Sequence, residues 1–80
     1  MDTIEVTAHF DTSGRITPTS FVWQSRAYRI EDTGRRWEAQ DGLHILVMVA
    51  NNRAFHLIFD NQKCIWKLVR GSEIPTVPNA

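Results

Sequence analysis

The 80-residue sequence predicts an all-β domain, and three observations carry that expectation. From Leu43 to Arg70 the chain reads LHILVMVA, RAFHLIFD and KCIWKLVR, runs rich in β-branched, aromatic and long aliphatic side chains, separated by the polar pairs NN and NQ. Such pairs suit tight hairpin turns, so the stretch reads as a three-stranded antiparallel meander. Residues Thr3 to Phe10 alternate, with Ile4, Val6, Ala8 and Phe10 on one face and Thr3, Glu5, Thr7 and His9 on the other, as a strand covered on one side does. Nowhere does an apolar stripe of helical period extend over about ten residues. The expected architecture is a single small antiparallel barrel or strongly curled sheet of about six or seven short strands, with a meander in its C-terminal half.

The elements follow in order. Asp11 to Gly14 carries a turn signature, since Asp bonds nearby backbone and Gly takes positive φ. Arg15 to Ser20 contains Pro18, which cannot donate to a ladder, so it reads as an edge strand or connector. Phe21 to Trp23, a break at Gln24 and Ser25, and Arg26 to Glu31 suggest a second hairpin. Asp32, Thr33 and Gly34 read as another turn, followed by a short strand from Arg35 to about Gln40 and the hairpin dipeptide Asp41-Gly42. The tail after Arg70 holds two prolines and no periodicity. The expected organisation is one domain over 1–70 with a flexible tail over 71–80.

The two breaks set an expected register for the meander. With Asn51 and Asn52 as loop residues, Ala50 pairs with Arg53, Met48 with Phe55, Leu46 with Leu57 and His44 with Phe59. With Asn61 and Gln62 as the next loop, Phe59 faces Cys64, Leu57 faces Trp66 and Phe55 faces Leu68. One face then holds Leu46, Met48, Phe55, Leu57, Phe59, Cys64, Trp66 and Leu68 as the core. The other holds Ile45, Val47, Val49, His56, Ile58, Ile65, Lys67 and Val69, a mixed face that reads as partly covered and available for contact.

Composition bounds the function. With 42% hydrophobic residues, three Trp and four Phe, the chain belongs among globular domains. Nine basic and nine acidic residues cancel, so whole-molecule attraction to nucleic acid or anionic lipid is missing. A single cysteine, the absence of a basic-then-apolar opening segment and a longest apolar run of only Ile45 to Ala50 lead us to expect a cytoplasmic protein without a membrane span.

Candidate sites are few. Trp23, Arg26, Tyr28, Arg29, Arg35, Arg36 and Trp37 cluster within fifteen residues. Arginines that pair phosphates beside rings that stack on bases are what single-strand binders use, so Trp23, Arg26, Arg29, Arg35, Arg36 and Trp37 form a candidate nucleic-acid set. The plainer reading makes the rings core and pairs the arginines with Glu31, Asp32 and Glu38. His9, His44 and His56 are far apart in sequence, and the expected register puts the last two on opposite faces, so no metal site is expected. Cys64 falls within a strand pattern on the core face, where a thiol is inert. Asp11, Asp32, Asp41 and Asp60 all fall in turns that explain them. No phosphate loop, GxSxG or CxxC occurs, so neither an enzyme nor a cofactor is expected.

The segments IEVTAHFDTSGRITPTSFVWQSRAYRI, RRW, GLHILVMV and AFHLIFDNQKCIWKL resemble a group of short bacterial all-β domains of unknown function. In that group a leading strand, a turn and a proline-containing link precede F-x-W-x-x-R-x-Y, a single W, a hydrophobic strand and a closing W-x-L. The matching positions are Phe21, Trp23, Arg26, Tyr28, Trp37, Trp66 and Leu68, and the likeness spans residues 4 to 69. Relatives associated with it occur as appended domains of proteins linked to DNA-repair polymerases, which implies a nucleic-acid connection. The leading expectation is a non-enzymatic module that contacts another protein or a second copy of itself. The alternative is a single-strand nucleic-acid binder, and a third reading is a small-molecule pocket at the barrel mouth lined by Trp and Tyr.

Overall fold

A computed structural model describes residues 2–69 and the backbone of Ile74–Pro75. The strands are β1 (Asp2–Phe10), β2 (Ile16–Trp23), β3 (Arg26–Arg29), β4 (Asp32–Ala39), β5 (Gly42–Val49), β6 (Arg53–Asp60), β7 (Ile65–Leu68) and the two-residue β8 (Ile74–Pro75). They form one antiparallel sheet in the order β3-β2-β1-β7-β6-β5-β4, with β8 pairing β6 beside β7. The chain is all-β, as expected. The tail read as flexible lies outside the described residues except for Ile74–Pro75.

This order forces the sheet to curl. β3 and β4 are its two edges, which would lie roughly 29 Å apart in a flat sheet, yet only Ile30 and Glu31 separate them in sequence, a reach of at most about 11 Å from Arg29 to Asp32. Ile30 N donates to Thr19 O on β2 at 2.9 Å, and Glu31 N donates to Met48 O on β5 at 2.8 Å. Two consecutive residues thus tie opposite ends of the sheet, producing a half-barrel. The side chain of Arg36 spans the remaining seam, with Nη1 donating to Ile16 O at 2.9 Å.

The turns use the residues that tolerate them. Asp11 Oδ1 accepts from the backbone of Ser13 and Arg15, closing the first hairpin. Gln24 and Ser25 both have positive φ, as a two-residue hairpin of primed type requires. Gly42 has φ +132°, and a Cβ there would lie 2.2 Å from Phe59 O, so no other residue fits. Pro18 is buried in β2 at an irregularity opposite Thr7 and Ala8, beyond the part of the strand that β3 covers, and its missing N–H breaks no ladder bond to β3. Asp32, Thr33 and Gly34 are not a turn: they begin β4, whose pairing with β5 is interrupted between Thr33 and Arg36.

The meander requires two corrections. Val49, not Ala50, pairs with Arg53, so the β5–β6 loop has three residues, with Asn51 and Asn52 both left-handed. This displacement by one turns β5 over. Ile45, Val47 and Val49 face inward and are at most 3% exposed, while His44, Leu46 and Met48 face outward. The β6–β7 loop has four residues, Asn61 to Cys64, and pairs Phe59 with Trp66 and Leu57 with Leu68. That displacement by two preserves the inward face of Trp66 and Leu68. It also ejects Cys64 from the strand, leaving it exposed with φ 56° rather than in the core.

The core therefore consists of Ile45, Val47, Val49, Phe55, Leu57, Phe59, Trp66 and Leu68 from the meander, joined by Phe21 from β2. Phe21, Trp23, Tyr28 and Phe55 form an aromatic nest, with centroids 5.1 Å apart for Phe21 and Tyr28 and 5.6 Å for Trp23 and Phe55. Ile4, Val6 and Ala8 of β1 pack against the cluster, as their alternation predicts.

Candidate functional site

Turning β5 over brings the two histidines together. His44 pairs with Ile58 and Leu46 with His56, so His44 and His56 lie diagonally across adjacent strands on the outer face. Their rings meet with His44 Nδ1 2.8 Å from His56 Nε2, and His44 Nε2 lies 2.7 Å from Asp41 Oδ1 in the β4–β5 turn. The expectation that they occupy opposite faces fails for the same reason as the register.

The proton positions follow from the acceptors. An ionised Asp41 offers no hydrogen, so His44 Nε2 carries one. In a neutral His44 the Nδ1 lone pair is then the acceptor, and His56 Nε2 donates to it. The hydrogen bond from His44 is the main cause holding the Asp41 carboxyl below its ordinary range. Burial, reinforced by the nearby charge of His44 and opposed by Asp41, lowers the His56 pKa and favours its neutral form.

Trp37 on β4 pairs with His44 and stacks on it, with centroids 5.1 Å apart and planes at 25°. The same indole lies 5.3 Å from His56, and the Arg35 guanidinium carbon lies 5.4 Å from the Trp37 centroid. Towards the other end of these strands, Leu46, Met48 and Ala54 line a shallow cleft of about 230 Å³ with Arg35 and Gly34. Towards β7, Ile58 is flanked by His44 and Lys67, and Lys67 Nζ lies 3.8 Å from Asp60 Oδ2. Asp60 is held below its usual range first by the Lys63 backbone N–H, then by Gln62 and Lys67.

The structure divides the residues singled out from sequence. Of the contact face, His56, Ile58, Ile65 and Lys67 face outward, Ile58 being fully covered, whereas Ile45, Val47 and Val49 belong to the core. Their places outside are taken by His44, Leu46 and Met48. The arginine and tryptophan set splits between the sheet's two edges. Trp23 is half-buried in the aromatic nest, with Nε1 donating to Asp2 Oδ2 at 3.1 Å, and Arg26 and Arg29 are exposed on neighbouring β3. Arg35 and Trp37 occupy the outer face of β4, while Arg36 turns into the seam. There burial, with a contribution from Arg15, lowers the Arg36 pKa, and its enclosed Nη2 has no hydrogen-bond partner. Trp37 also lines the seam cavity of about 400 Å³, but Tyr28 does not, so the pocket differs from the Trp and Tyr mouth expected.

Sequence reasoning missed the Asp41–His44–His56 chain. One signal could have found it: the alternative register puts His44, His56 and Lys67 on one face and leaves the other apolar except for Arg53 at its end. Among the described residues no three His, Cys, Asp or Glu side chains converge on one cation position. Nor, among them, is any helix long and apolar enough to cross a membrane. No family model matches this chain, and no curated protein or solved structure shows significant similarity to it.

Proposed function

We propose that this domain is a non-enzymatic contact module that self-associates through the outer face of β4–β6. The observation that carries the reading is the half-exposed run of Trp37, Leu46, Met48 and Ala54 beside the histidine pair, an apolar strip on the outer face. The other face of the same strands is filled by the chain's own core, so contact with a partner falls to this one. Edge-to-edge pairing is less favoured, because β4 carries Asp32, Arg35, Arg36 and Glu38 and an interrupted register, features that blunt an edge. An exposed free thiol at Cys64 supports a reducing, cytoplasmic setting.

Sedimentation equilibrium over a range of micromolar concentrations tests the reading. A concentration-dependent dimer that Leu46→Glu or Met48→Glu abolishes is expected. A monomer throughout, or a dimer indifferent to both changes, contradicts it. Single-stranded nucleic-acid binding is the competing reading, supported by the exposed Arg35 over Trp37 and by Arg26 and Arg29. Titration of oligonucleotides at low salt, followed by tryptophan fluorescence, separates the two: salt-sensitive quenching favours nucleic acid.

A further inference from the structure

We propose that His44 Nδ1 and His56 Nε2 form a two-imidazole site for a zinc- or copper-type divalent cation, with Asp41 holding His44 from behind. Two ring nitrogens 2.8 Å apart point at each other from adjacent strands, a position fixed by the sheet rather than by loops. With its Nε2 hydrogen committed to Asp41, His44 directs its Nδ1 lone pair at His56 Nε2. Carboxylate–imidazole–metal groupings work in this way, the carboxylate setting the tautomer and raising ligand basicity. Trp37, stacked on His44 and packed beside His56, restrains both rings.

A cation would replace the hydrogen now shared between the rings. Ligation through His56 Nε2 requires the tautomer that carries the hydrogen on Nδ1, and with both rings neutral no net proton is released. Metal–nitrogen distances of about 2.0–2.1 Å at a tetrahedral angle put the nitrogens about 3.3 Å apart, so the rings open by about half an ångström. Zinc, copper and nickel suit imidazole, whereas magnesium and calcium demand oxygen ligands that the pair does not offer. Two protein ligands leave the other coordination positions to water.

The full-length chain with Cys64→Ser, which removes the competing thiol, is titrated with zinc by calorimetry and with copper(II) by electron paramagnetic resonance. One zinc per chain is expected, together with nitrogen hyperfine structure on copper. His44→Ala and His56→Ala should each weaken zinc binding more than about tenfold and Asp41→Asn by about 10–100-fold, while His9→Ala and magnesium serve as silent controls. Zinc-dependent shifts of the His44 and His56 ring resonances in the unsubstituted histidine pair test the site without relying on variants that must fold. No zinc binding, binding that survives both histidine changes, or resonance shifts elsewhere overturns the proposal.

Discussion

The two faces of the β5–β6 hairpin share one backbone and differ in everything else. Inside, Ile45, Val47, Val49, Phe55 and Leu57 are at most 3% exposed and pack in the hydrophobic core, with the Arg53 guanidinium carbon 5.2 Å from the Phe55 ring centroid at its margin. Outside, one residue along, His44, Leu46, Met48, Ala54 and His56 are half-buried, and the histidines are bonded in a chain that ends at Asp41. β-Branched residues, Leu57 and Phe55 fill the inner surface, whereas the outer one mixes thioether, imidazole and aliphatic groups. The comparison teaches that the inner face specifies the fold while the outer face retains the chemistry.

A matched pair of charges tests this difference most severely. Val47→Asp buries an unpaired carboxylate and is expected to cost more than about 3 kcal/mol, leaving the chain largely unfolded by circular dichroism. Met48→Asp, its neighbour on the outer face, should remain folded with a change within about 1 kcal/mol. Equal losses would erase the distinction between the faces. Truncation gives a smaller version of the same contrast. Phe55→Ala, which empties the aromatic nest, is expected to lower urea stability by about 3–5 kcal/mol, against about 1 kcal/mol or less for Leu46→Ala.

The hairpin also shows where the sequence was legible. The three runs, the Asp-Gly turn and the alternation of β1 depend on local pattern, and β1, β5, β6 and β7 formed where that pattern put them, with some boundaries displaced. Loop length does not follow from composition alone: Asn51 and Asn52 tolerate left-handed φ in loops of either two or three residues. One extra loop residue, Ala50, inverted β5 and with it the assignment of Ile45, Val47 and Val49. At the next loop an error of two residues cost only Cys64, because parity was kept. Asp32 to Gly34 looked like a turn because the reversal at Ile30 and Glu31 has no Gly, Pro or Asn. It is imposed by hydrogen bonds to β2 and β5, which are tertiary.

Two smaller effects sharpen the comparison. The pKa of His56 is lowered in the folded chain, mainly by burial, so below about pH 6.5 the unfolded chain binds the proton more readily. Stability should therefore decline as the pH falls from about 7 towards 5 and be level above neutrality; His56→Ala should flatten that decline in urea midpoints. Asp41, whose carboxyl is depressed, acts at lower pH: its contribution is complete above the ordinary carboxylate range and is lost as the pH falls through its folded value. The smallest change is expected at the seam. Arg36→Met gives up the bond to Ile16 O but also removes a partnerless enclosed Nη2, so thermal stability should move by less than about 1 kcal/mol in either direction.

The register of the β5–β6 hairpin underlies both faces, and nuclear Overhauser spectroscopy of the isotopically labelled chain reads it directly. The account predicts contacts between the His44 and His56 rings and the Trp37 indole, together with backbone contacts pairing Val47 with Phe55 and Leu46 with His56. Contacts pairing Met48 with Phe55 and His44 with Phe59, the register of a two-residue Asn-Asn loop, would contradict it.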